Sequence, residues 1–210
     1  MNKCIYLAVL TAATWCSAQT NSIAPETSTD TPPAERIEML ERIGNIYYQE
    51  GDWDNAIDAY QRLLKIVPEH KETRSLLSII FFSTSNYKGA IEMMLALVED
   101  YPDDYHIMNN LAWVYATSKD HAYRDTKKAI DLAQQALVIA PYDHHIWSTL
   151  SEAYYVAGEY EKANRAILHL VTLATSGQIK MNEQMVQTYN DQIKKCTRAI
   201  AAEKLLREDQ

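Results

Sequence analysis

Beyond about residue 36, apolar residues recur at helical spacing along almost the whole chain. Leu40, Ile43 and Tyr47 share one face of a first predicted helix, and Ala56, Tyr60 and Leu63 one face of a second. Gly51-Asp52 breaks the chain between them, and Pro68 stops the second helix because proline cannot continue one. The stretch therefore predicts a helix–turn–helix hairpin, and three rulers repeat it. Ala56, Ala90, Ala129 and Ala163 are separated by 34, 39 and 34 residues; Tyr47, Phe81, Tyr115 and Tyr154 by 34, 34 and 39; Pro68, Pro102 and Pro141 by 34 and 39. All three agree if five residues are inserted between Tyr115 and Ala129. Gly177 closes the fourth period, and a long amphipathic helix is expected to about Glu208. Its apolar stripe is Met185, Tyr189, Ile193, Cys196 and Ile200, with Lys194, Lys195, Arg198 and Glu203 off the stripe.

These residues resemble the tetratricopeptide repeat (TPR) family, whose pattern is W-x2-L-G-x2-Y, then A-x3-F, then P, over 34 residues. The first unit reads Leu40-x2-Ile43-Gly44-x2-Tyr47, Ala56-x3-Tyr60 and Pro68. The fourth reads Trp147-x2-Leu150-Ser151-x2-Tyr154 and Ala163-x3-Ile167, with Thr175 in place of proline. The second has Arg74 for the tryptophan but keeps Leu77, Phe81, Ala90 and Pro102. The third resembles a bacterial variant through Asn110-Leu111-Ala112-Trp113, Ala116-Thr117, Arg124-Asp125, Ala129, Leu132-Ala133 and Ala136. The resemblance implies an all-α fold: a right-handed superhelix of four hairpins over residues 36–177, with repeats at about 37–70, 71–104, 105–143 and 144–177. Residues 178–210 would form a C-terminal capping helix. One hairpin cannot bury its apolar face alone, so neighbours must stack. The four alanines are small where two helices cross closely, and the four aromatics would fill the gaps between hairpins.

The amino terminus has a different character. Lys3 precedes a mostly apolar run from Cys4 to Trp15, and Cys16-Ser17-Ala18 supplies small residues before Gln19. This is the order of a secretory signal peptide, residues 1–18, with cleavage expected between Ala18 and Gln19. The alternative is lipidation at Cys16, which Trp15 disfavours by its size. Residues 19–35, rich in Pro, Ser, Thr and acids, bury too little surface to offset their ordering entropy and read as a flexible tether. Removal of residues 1–18 leaves Cys196 as a lone cysteine on an apolar stripe, a buried small hydrophobe. The expected location is periplasmic or secreted.

Composition narrows the function. Twenty Lys and Arg against 28 Asp and Glu give a net charge of −8, which argues against nucleic acid and anionic lipid as partners. Five glycines beside 14 tyrosines argue against a turn-dense β protein. No glycine-rich phosphate loop, G-x-S-x-G elbow or H-E-x-x-H motif occurs, so neither an enzyme nor a cofactor is expected. His144 and His145 are adjacent and point about 100° apart on a helix. His106 and His145 lack a further placed ligand, which makes a poor metal site. Met93-Met94 read as core filler.

In TPR proteins the first helix of each hairpin lines a concave groove, and the resemblance carries this to named positions. They are Glu41, Asn45 and Tyr48 in unit one, Ile79 and Phe82 in unit two, Asn109 and Trp113 in unit three, and Glu152 and Tyr155 in unit four. The family's two-carboxylate clamp is not matched: of Glu41, Asn45, Leu76, His106 and Asn110, only Asn45 has the required type. The inserted turn, Ser118 to Asp125, offers Asp125 as N-cap for a helix from Thr126 and Arg124 as a local tie. The expected function is a non-enzymatic scaffold that binds a neutral or basic peptide or partner segment in the groove, with homo-oligomerisation through the C-terminal helix as a further option. The alternative is an accessory or carrier subunit of a cell-envelope enzyme complex that binds glycan or metal, with His106, His145 and Glu152 as the groups that would do so.

Overall fold

The structure, a computed structural model, describes residues 32–208. The signal segment, its cleavage site, Cys16 and most of the tether lie outside the described residues. Those described are all-helical, without a strand, and divide into two compact units after Ile80. The observed fold class is the expected one.

The first unit holds α1 (Pro33–Glu50), α2 (Trp53–Ile66) and most of α3 (Lys71–Ser83). Helix α1 begins with Pro33, two residues before the expected end of the tether. Proline suits that position, since the first helical N–H has no intrahelical partner to lose. Gly51, at φ 76°, ends α1 in the left-handed region that favours glycine. Asp52 caps α2 by accepting the Asn55 N–H at 3.3 Å. Ala56, Tyr60 and Ile80 form the core, flanked by Tyr47, Trp53, Ile57 and Leu76.

The second unit continues with α4 (Tyr87–Asp100), α5 (Tyr105–Thr117), α6 (Thr126–Ile139), α7 (His144–Val156), α8 (Tyr160–Thr175) and α9 (Glu183–Glu208). Its core joins Met108, Ala112, Ala133, Ala136, Ile146, Leu150 and Ala166. Ala56, Ala90, Ala129 and Ala163 are all fully buried, as a close crossing of two helices requires.

One backbone hydrogen bond recurs in every hairpin. The carbonyls of Tyr47, Phe81, Tyr115 and Tyr154 accept from the N–H groups of Asp52, Asn86, Asp125 and Glu159, at 2.9, 2.7, 3.1 and 2.9 Å. The donor in each case stands just before the second helix. In the third hairpin the five extra residues bulge out as a single 3-10 turn, His121–Tyr123, and Asp125 still occupies the equivalent place. Its carboxylate caps α6 through the Lys128 N–H at 3.0 Å. Arg124 is the local tie expected of it, its Nε donating to the Ser118 carbonyl at 2.5 Å.

Helix α9 starts at Glu183, later than expected, after a turn in which Gly177 has φ 79°. Its stripe meets α8: Ile167, Leu170 and Tyr189 form a core flanked by Met185 and Ile193, and Cys196 is fully buried. Past that contact the helix runs into solvent, with Leu205 at 63% and Leu206 at 67% exposure.

Candidate functional site

The nine positions assigned to a groove fare differently, and each is placed by its own helix. On α1, Asn45 is occupied internally: its Oδ1 accepts the Tyr60 hydroxyl at 2.7 Å and ties α1 to α2. Burial raises the Tyr60 hydroxyl far above the usual tyrosine value, and the charges of Tyr48 and Glu41 add to the rise. Glu41 is half-buried. The Tyr48 ring meets the Trp53 ring edge-on at 5.7 Å, and burial raises its hydroxyl too.

Ile79 is only 7% exposed and Asn109 only 6%, so neither offers open surface to a partner. This corrects the expectation for both. In α5 the reason is that the helix is packed against α4, α6 and α7, which leaves a narrow accessible strip. Phe82 is half-buried and stacks at 5.8 Å on Tyr87, which in turn lies 5.8 Å from Tyr123 of the inserted turn. Trp113 is half-buried, one turn beyond Asn109 on the same face of α5. The Asn109 Oδ1, like the Asn164 Oδ1 and the Arg36 Nε, is buried without a hydrogen-bond partner among the described residues. An orphaned buried acceptor costs about 1–3 kcal/mol.

On α7 the assigned positions are covered by the chain's own α9. The Tyr189 hydroxyl lies 2.7 Å from His144 Nδ1 and donates to it when that nitrogen is unprotonated. Ser148 donates through Oγ to Gln192 Oε1 at 3.1 Å, and Gln192 Nε2 donates to the Ser148 carbonyl at 3.1 Å. Lys195 Nζ donates to both Glu152 oxygens, at 2.7 and 2.8 Å, and sits 3.9 Å from the centre of the Tyr155 ring. Lys195, off the apolar stripe as expected, turns inward onto α7. Sequence reasoning missed this row, although Tyr189, Gln192 and Lys195 are spaced three apart and so share a face.

His144 and His145 are both driven toward the neutral form. Burial lowers His144. Burial, then the charges of His144 and His106, lower His145 to about 4. Among the described residues no three His, Cys, Asp or Glu side chains converge as a metal site would require, and no helix is long and apolar enough to cross a membrane.

Comparison with known proteins fits this geometry. A family profile described as tetratricopeptide repeat matches residues 47–115. The human protein O-mannosyl-transferase TMTC1 is 25% identical over 125 residues, which is 60% of this chain and 13% of that protein. The chain thus spans only a small part of that relative. Among solved structures, the kinesin light chain TPR-like repeats of Podosopora anserina align with a TM-score of 0.65 at 14% identity, over 85% of this chain and 92% of that one. The O-GlcNAc transferase of Thermobaculum terrenum aligns at 0.58 and 22% identity, over 69% of this chain and 27% of that one. A thermophilic TPR protein of Thermus thermophilus aligns at 0.56 and 18% identity, over 82% and 96%. At these identities the structural likeness speaks to fold.

Proposed function

The chain belongs to the tetratricopeptide-repeat family, and from that premise we propose that it is a non-enzymatic protein–protein interaction scaffold that docks a partner segment along the first-helix face of its second unit. One observation carries the reading: the Trp113 indole, an aromatic of the kind that anchors interfaces, is left only partly covered on the first-helix face of α5. A bound segment supplies there the apolar surface that the ring lacks in the free protein. The net charge of −8 favours a neutral or basic partner over an acidic one. The charged start, short apolar run and small residues of positions 1–18 support export as the setting, with α9 beyond Ile200 available for self-association. Capture tests the docking face: the full chain is immobilised, incubated with envelope extract, and the retained proteins are identified by mass spectrometry. Trp113→Ala with Phe82→Ala should empty the captured set; an unchanged set refutes the assignment.

A second reading is an accessory subunit of a glycan-modifying enzyme, supported by the likeness to parts of an O-mannosyl-transferase and an O-GlcNAc transferase. Calorimetry with glycans separates it from the first, since a scaffold without a sugar site gives no heat.

A further inference from the structure

The Lys195 contact has the form of a receptor rather than of an ordinary surface pair. Most ion pairs among the described residues join neighbours three or four apart on one exposed helix face, such as Lys88 with Glu92 and Lys127 with Asp131. Such pairs contribute little. Lys195 and Glu152 are 43 residues apart, and the Glu152 side chain is only 17% exposed. The ammonium is held from two sides, by both carboxylate oxygens and by the face of Tyr155. A carboxylate balances the charge, and the negative face of an aromatic ring adds a second attraction.

Both walls of this receptor, Glu152 and Tyr155, lie on α7, three apart and hence neighbours on one helix face. They sit on a helix whose Ile146, Leu150 and Ala153 are buried. The occupant comes from elsewhere. Helix α9 packs closely on α8 but meets α7 through long side chains. Lys195 itself is 40% exposed and brings the only charge in the row of ties.

We propose that Glu152 and Tyr155 together form a recognition site for a lysine or arginine side chain of a partner peptide, and that Lys195 is its resident, displaceable occupant. This rests on the scaffold reading above and adds the side-chain chemistry selected at one point of the docking face. Replacing one cation by another leaves the carboxylate paired throughout, so the exchange avoids the penalty of a bared buried charge. The tethered Lys195 competes as an intramolecular ligand of high effective concentration, and it sets a threshold that weakly basic segments do not pass.

Fluorescence anisotropy on the full chain tests this, with a labelled peptide of alternating lysine and leucine and its glutamate counterpart as probes. Lys195→Ala should bind the lysine peptide about tenfold more tightly than the unsubstituted chain, and adding Glu152→Gln should abolish that gain. The glutamate peptide should not respond. Lys195→Gln, which keeps the length of the side chain, gives the same comparison should the alanine variant be misfolded by circular dichroism. Equal affinity of the Lys195→Ala and unsubstituted chains, or a gain that survives Glu152→Gln, overturns the proposal. The two readings fail separately. Loss of partner capture in Trp113→Ala with Phe82→Ala alongside a silent Lys195→Ala refutes only the cation site. Unchanged capture alongside the tenfold gain refutes only the docking face.

Discussion

Gly44 should be a position where alanine, normally the better helix former, destabilises the protein. A Cβ added there would stand 2.4 Å from Tyr60 Cε1, 2.6 Å from Cδ1 and 3.0 Å from Cζ. Ordinary carbon contacts lie near 3.5–4.0 Å, so the ring must move by about 1 Å. It has nowhere to go: Tyr60 is fully buried, and its hydroxyl donates to Asn45 at 2.7 Å. Overpacking of this kind costs about 1–3 kcal/mol, and a strained or broken hydrogen bond adds about 1 kcal/mol. The gain in helix propensity from glycine to alanine, about 1 kcal/mol, works against those costs. The net expectation is a loss of about 1–3 kcal/mol, read as a lower urea midpoint by circular dichroism and faster amide exchange in peptides from residues 33–66. Tyr60→Leu in the same chain should relieve part of the clash, so the two substitutions should not add. A midpoint raised by Gly44→Ala would refute the close crossing of α1 and α2.

Asp125→Ala removes a helix cap and should lower stability by about 1 kcal/mol in urea melts. Chiefly through the Lys128 N–H, the fold holds the Asp125 carboxyl below the usual carboxylate range. Its contribution is therefore present above the unfolded pKa and lost as pH falls through the lower folded value, a dependence that Asp125→Asn should flatten. His145, held near 4 against an ordinary 6.5, stays neutral in the fold while the unfolded chain takes up a proton. Stability should thus decline as pH drops from about 6.5 toward 4, and His145→Gln should reduce the slope of melting temperature against pH. Cys196 is fully buried, and burial pushes its thiol up. It should react with a thiol reagent far more slowly in buffer than in urea, and equal rates would contradict its burial on the inner face of α9.

The repeat was legible because it is a steric requirement. Only a small side chain fits where two helices of a hairpin cross, so Ala56, Ala90, Ala129 and Ala163 stand out at fixed spacing and all prove buried. The cap at Asp125 and the tie at Arg124 were legible because they are local, involving residues within six positions. The groove was harder to read. Register names a face, but how much of that face stays open depends on the neighbouring helices, which is why Ile79 and Asn109 turned out enclosed. Asn45 was misread for a related reason: it sits beside the glycine that brings Tyr60 close, and the hydroxyl needed an acceptor. Lys195 lies between Ile193 and Cys196 on the edge of the stripe. The stripe shows that α9 is amphipathic, but not that α7 waits on its other flank.

The bulge of the third hairpin carries a practical consequence. Because the Tyr115 carbonyl finds the Asp125 N–H at 3.1 Å across the extra residues, the hairpin closes the way its shorter siblings do. The scaffold therefore checks where this connection begins and ends but does not measure how far it travels. Residues 119–123 are a natural splice point, where a reporter sequence or an additional recognition loop can be grafted without disturbing the register of the helices downstream.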